Sequence, residues 1–289
     1  MAWKNPIFKL AALSLGLSLE LAVAAGFSFS ARASSEANNP NSVIPQTWQF
    51  SQFNPPDRGA PETAVGGATR SPADVCGVTP LIPKDTSEDY GEFPPYFGLT
   101  VAERPTFFLH VEKFLHQEIT FEVYEYEQVT EGRGKDGQLI YETTFFVPTT
   151  PGVISTKLPP SSGLESGKTY RWYMDVACGP GADVSVLSAV GWLERVDASP
   201  ELSSQLVRAE TAEARSQVYA EAGIWFDALN ILGQERIAAD TDTLKTQWEN
   251  LLRDIDLDNA EGLANAPFMN CCNEGVEVFG EEPALTSQN

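Results

Sequence analysis

Leu164–Cys178 reads LESGKTYRWYMDVAC, and its alternation decides the fold class. Tyr170, Trp172, Met174, Val176 and Cys178 share one phase, while Thr169, Arg171, Tyr173, Asp175 and Ala177 share the other. Period two is what a half-buried antiparallel strand requires, because successive side chains point to opposite faces. The L-x-x-G-x-x-Y opening also sets a tyrosine at the strand entrance just after a glycine turn. That arrangement fits the tyrosine corner of immunoglobulin-like sandwiches. The apolar set is expected inward, so Arg171 and Tyr173 become the candidate surface contacts, unless the rest of the chain covers them.

Outward from this strand, 76–197 carries short apolar runs separated by turns: CGVTPLIP, PTFFLHV, ITFEVYEYE, LIYETTFFV, GVISTKL and VSVLSAVGWLERV. The prolines of the first run suit a sheet edge. In ITFEVYEYE the tyrosines Tyr124 and Tyr126 break the phase of Ile119, Phe121 and Val123, which predicts a bulge. About seven strands without intervening helical periods predict a mainly β fold, an immunoglobulin- or fibronectin-like antiparallel β-sandwich, rather than a parallel α/β sheet. Trp172 is expected in its core by phase, joined by Trp192 from the neighbouring strand.

The character changes at 198–258. Ser199-Pro200-Glu201 combines a capping residue, proline at the first helical position and an early acid. Leu202, Leu206, Ala209 and Ala212 follow at helical spacing; Gly223 interrupts; Trp225, Ala228, Leu229 and Leu232 resume it. Leu244, Trp248, Leu251, Leu252 and Ile255 form a third amphipathic face. The expectation is a three-helix appendage packed on the sandwich, with Trp225 as an anchor. YAEAGIWFDAL resembles part of a tetratricopeptide hairpin, but a single partial match is not a solenoid.

At the N-terminus, Lys4 and Lys9 precede the apolar run Leu10–Leu19, and Ala31-Arg32-Ala33 reads as a cleavage site, so 1–33 is expected to be a signal peptide. Glu20 argues against a retained membrane anchor, leaving no membrane span after cleavage. Residues 34–75 are rich in Asn, Pro, Ser and Gly and read as a linker, with Trp48, Phe50 and Phe53 able to dock on the body. Residues 259–289 read as an acidic, disordered tail.

The chain holds 289 residues with a formal charge of −21. Cleavage would remove three bases (Lys4, Lys9, Arg32) and one acid (Glu20), moving the charge to −23. Nucleic acid and anionic headgroups are therefore excluded as partners, because both are bound through basic surface. In an exported, oxidising setting Cys76 and Cys178 are a candidate disulfide; it would close a loop of about 100 residues, worth roughly 4–5 kcal/mol in the chain-entropy estimate. Cys271 and Cys272 are adjacent, and a vicinal bridge is strained.

Taken in order, GAPETAVGGATR, TPGVISTKLP, GKTYRWYMDVAC, GWLERV, YAEAGIWFDAL and WENLL resemble the cyanobacterial domain-of-unknown-function family 928, across residues 54 to 253. The resemblance implies a cyanobacterial source and an envelope location. It implies no catalytic residues, because the family has no established activity. The segment RDIDLDN departs from the family pattern after the third helix.

Chemistry-bearing motifs are sparse. His110 and His116 are the only histidines, with no H-E-x-x-H, and neither G-x-S-x-G nor S-x-x-K occurs. Glu122, Glu125 and Glu127 supply carboxylates of the kind glycosidases use. Asp254, Asp256 and Asp258 have EF-hand spacing, but Asn259 stands where glycine is needed and Asn265 where a bidentate glutamate is needed. No residue is assigned to catalysis, metal or cofactor. The reading is an exported, non-enzymatic interaction module of the periplasm or cell envelope, binding an unknown protein or envelope component. The alternatives are a carbohydrate-active hydrolase and a calcium-dependent structural envelope protein.

Overall fold

Strand β7 (Thr169–Cys178) is the middle rib of a five-stranded sheet. In the computed structural model, which describes residues 53–61, 77–85, 87, 94–112, 118–129, 133–147, 150–178, 185–257 and 259–269, the other strands are β1 (Val78–Pro80), β2 (Tyr96–Thr100), β3 (Thr106–Val111), β4 (Glu118–Val129), β5 (Arg133–Phe146), β6 (Gly152–Lys157) and β8 (Ser185–Arg195). They form two sheets, ordered β1-β3-β6 and β2-β8-β7-β4-β5. Every pairing is antiparallel except that of β2 with β8. The helices follow: α1 (Pro200–Arg208), α2 (Ala212–Glu221), α3 (Trp225–Ala238), α4 (Asp242–Arg253) and α5 (Ala260–Asn265). The protein is thus mainly β with a C-terminal helical part.

The alternation of β7 has the expected consequence. Tyr170, Trp172, Met174 and Val176 are buried, and Arg171, Tyr173 and Asp175 are half-buried on the opposite face. The Glu165 N–H donates to the Tyr170 hydroxyl at 2.7 Å, so the tyrosine ties its own strand to the preceding turn. The two sheets meet through aromatic edges: Phe107 of β3 lies 4.8 Å from Phe121 of β4 and 6.1 Å from Trp172 of β7, ring centre to ring centre. T-shaped contacts of this kind align the positive edge of one ring with the negative face of the next.

Several expectations are corrected. Trp192 does not join Trp172. The register pairs Trp172 with Gly191 and Arg171 with Trp192, so Trp192 points to the outer face and is buried there instead. Gly191 is small because a Cβ on it would stand 2.3 Å from the Trp172 ring. Strand β2 (YFGLT) was not foreseen: four of its five residues are buried, so it shows no alternation, and its partner β8 lies far along the chain. β5 begins at Arg133, inside the stretch read as a turn. The bulge expected at Tyr124 and Tyr126 is present against β5, where the register shifts between Val123 and Tyr124 and again before Tyr126; against β7 the register stays regular through Glu125, so the two tyrosines keep the outward phase.

The helical part has five helices, not three. What read as one helix is divided, because Thr211 caps α2 by accepting from the Ala214 N–H at 3.1 Å, after α1 has closed on Ala209. Ser199 caps α1 as expected, accepting from Leu202 N–H at 3.0 Å. Gly223, at φ +73°, makes the α2–α3 turn in a conformation that side-chain-bearing residues avoid. Phe108, on the outer face of the three-stranded sheet, meets Trp248 of α4 at 5.5 Å and Phe268 at 6.1 Å. Residues 259–269, expected in the tail, are instead α5 and a short extension pairing with β6: Val153 N–H donates to Pro267 O and Met269 N–H to Val153 O, both at 2.8 Å. The apolar positions Ala260, Leu263, Ala264 and Ala266 explain it, since all four are buried.

The expected signal segment 1–33, the anchors Trp48 and Phe50, Cys76, His116, Asp258, Cys271 and Cys272 lie outside the described residues, as does the side chain of Cys178. Among the described residues no helix is long and apolar enough to cross a membrane.

Candidate functional site

Two places gather unusual chemistry, and both depend on the register. The first is the outer face of the five-stranded sheet. Helices α1 to α3 cover its β2–β8 end, where Phe97, Leu99, Val190 and Trp192 pack with Leu202 and Ile224. Coverage stops at β7. There the Arg171 guanidinium carbon stands 4.9 Å from the ring centres of both Tyr173 and Trp192. Its Nη1 lies 3.6 Å from Asp136 Oδ1, and the Tyr173 hydroxyl donates to Asp136 Oδ2 at 2.6 Å. Tyr124 meets Tyr173 edge to face at 5.8 Å. Arg171 and Tyr173, singled out by phase, are therefore brought together with Tyr124 and Asp136, which were not.

The electrostatics of this face are acidic. Burial, and then the hydrogen bond to Asp136, hold the Tyr173 hydroxyl well above its ordinary pKa; burial and the Glu122 carboxylate raise Tyr124. Both phenols stay protonated donors. Glu122 sits directly opposite Glu142 in the ladder, with Tyr173 as its other neighbour. Like charges in direct cross-strand opposition are unfavourable. Arg171 Nε, Asp136 Oδ1 and Trp192 Nε1 are buried without hydrogen-bond partners, which is costly in a closed interior. Aromatic rings, one arginine and facing carboxylates on one sheet face can make directional contacts.

The glutamates considered for hydrolysis do not converge. Glu125 is held by Lys168 at 3.0 Å and Glu127 by Lys135 at 3.2 Å, while Glu122 projects from the outer face. His110 is half-buried on β3, its pKa lowered by burial against the opposing pull of Glu112. Among the described residues, no three His, Cys, Asp or Glu side chains are grouped to hold a metal.

The second place is a hollow of about 590 Å³ where four separate segments meet. The arm at 53–60, read as linker, is docked. Phe53 packs edge-on to Trp225 at 5.0 Å, and its N–H donates to Asp254 Oδ2 at 2.9 Å. The Asn54 N–H donates to Ala220 O at 3.2 Å, and Ala60 N–H to Asp85 Oδ2 at 2.5 Å. Trp225 itself donates to Leu81 O at 2.9 Å, anchoring α3 as expected of it. Phe53, Pro55, Pro56, Pro83, Pro94 and Phe97 supply apolar walls, and Asp57, Asp85, Asp254 and Asp256 bring carboxylates to them. Burial raises the Asp254 pKa, and the Phe53 hydrogen bond offsets it in part. Only Phe53 and the aspartate run were visible in sequence; nothing local announces that Asp85 and Pro94 join them.

A family model described as Domain of Unknown Function (DUF928) matches residues 65–268, and the chain belongs to that family. No curated protein matches the chain.

Proposed function

We propose that this member of the DUF928 family is an exported, non-catalytic interaction module of the cell envelope that binds a protein partner through the outer face of β4, β5 and β7. The observation that carries the reading is the half-buried Tyr124–Tyr173–Arg171 stack, backed by the buried Trp192, beside the directly opposed Glu122 and Glu142, at the point where helical cover ends. Tyrosine and arginine are among the residues enriched where proteins bind proteins, since they supply large contact area with a polar tip. The opposed carboxylates favour a basic partner surface, which would relieve their repulsion. Export rests on Lys4, Lys9, the Leu10–Leu19 run and Ala31-Arg32-Ala33.

An immunoglobulin-like sandwich is the fold type that best accommodates the strand orders β1-β3-β6 and β2-β8-β7-β4-β5. The Tyr170 hydroxyl bonded back to Glu165 supports it, as does the aromatic layer linking the two sheets. The test is crosslinking of tagged mature protein in the envelope, compared with Glu122→Lys/Glu142→Lys. That variant replaces two outer-face acids and is expected to keep its melting temperature while losing the reproducible partner. An identical partner set from both proteins would remove this face from the reading.

A further inference from the structure

We propose that the hollow between the arm and the α4–α5 turn binds a small amphiphilic cation, a primary amine carried on a compact apolar body. The site lies apart from the tyrosine face and stands independently of the interaction reading. Its volume of about 590 Å³ is that of a small-molecule pocket. Its apolar lining is two phenylalanines, four prolines and Ile255, residues with nothing to offer a hydrated ion and much to offer a hydrocarbon or a ring.

Charge sets the sign of the ligand. Four aspartates line the hollow against two cations, Arg58 and Lys84. Arg58 is already committed to Glu194 at 2.8 Å. Of the aspartates, Asp85 is committed too, accepting from Ala60 N–H at 2.5 Å and Ser87 N–H at 2.8 Å. Asp254 gives Oδ2 to Phe53 N–H, and Asp256 is exposed at the same turn, held at φ 52°. A half-buried carboxylate with its charge disfavoured by burial gains more from an arriving cation than a solvated one does. Apolar lining with Asp254 and Asp256 together on one turn matches an ammonium group on an apolar body. A bare divalent ion would find too few oxygens, because no group of three ligating side chains exists among the described residues.

The test uses the full chain and three probes of one shape: 4-phenylbutylamine, 4-phenylbutanol and 4-phenylbutyrate, titrated calorimetrically at low salt. The amine is expected to bind tightest, by about tenfold or more over the carboxylate. In Asp254→Asn/Asp256→Asn the amine and the alcohol are expected to bind equally, with the alcohol unchanged. Asp256→Asn alone, at an exposed position that leaves the arm's anchor intact, is expected to lower the amine preference about threefold. Absence of binding by all three probes, preference for the carboxylate, or an amine preference that survives in both variants would overturn the proposal.

Discussion

Asp227 offers the sharpest test of how the helical part is fastened to the sheets. It lies in the first turn of α3 and accepts at Oδ2 from Thr100 Oγ1 at 2.7 Å and from Val101 N–H at 3.1 Å, fixing the helix to the end of β2. Two effects compete for its pKa. Burial disfavours the carboxylate, while the hydrogen bonds from Thr100, Val101 and Ala102 favour it; burial is the larger and the pKa is raised above 3.8. A raised folded-state pKa means that this group's contribution to stability is full below 3.8 and is lost as pH climbs through the folded value. Each unit between the two values is worth about 1.4 kcal/mol. Asp227→Asn keeps one acceptor oxygen and cannot ionise, so its cost is set by imperfect hydrogen bonding, about 1 kcal/mol at low pH.

The expected outcome follows for the difference between the two proteins. All other carboxylates titrate in both and cancel. As pH rises through the carboxylate range the variant is expected to gain on the wild type, read as a rise in its melting temperature relative to the wild type. Denaturant unfolding at a series of pH values measures it directly. A wild type that gained on the variant as pH rose would show that the hydrogen bonds outweigh burial, and the reasoning would fail.

Two further outcomes test the strand entrance and the arm. Tyr170→Phe deletes the hydroxyl that accepts from Glu165 N–H and is expected to cost about 1 kcal/mol in unfolding free energy; an unchanged denaturation midpoint would mean the corner contributes nothing. Phe53→Ala removes a ring that is 3% exposed and packed on Trp225, so the arm should undock. Protease cleavage within 53–61 is expected to speed by about tenfold or more with secondary structure unchanged, since a local opening, not global unfolding, exposes it. Cleavage at the wild-type rate would refute the anchor.

Much of the architecture was legible because it is written in local periods. The alternation of Tyr170 to Val176 fixed which side chains face the core, and the Ser199-Pro200 cap fixed where helices begin. Phe53, an aromatic in a Pro-rich arm, announced docking through composition alone. The helix count failed at Glu210-Thr211, where one polar cap residue divides a continuous apolar spacing, and at Ala260–Asn265, read as tail. β2 was hidden because cover on both faces erases alternation.

The candidate sites divide the same way. Phase placed Arg171 and Tyr173 outward, since the two faces of a strand are determined by the chain itself. What they touch was settled by register, a pairing between strands far apart in sequence. One residue of offset separates Trp192 in the core from Trp192 beneath Arg171. The hollow went further beyond local reading: Phe53, Asp85, Pro94 and Asp254 meet only because β2, α3 and α4 converge, and no side chain encodes a neighbour so distant. The sequence by itself determined a β framework and an acidic composition; only tertiary packing decided which acids face one another and where a cavity was left.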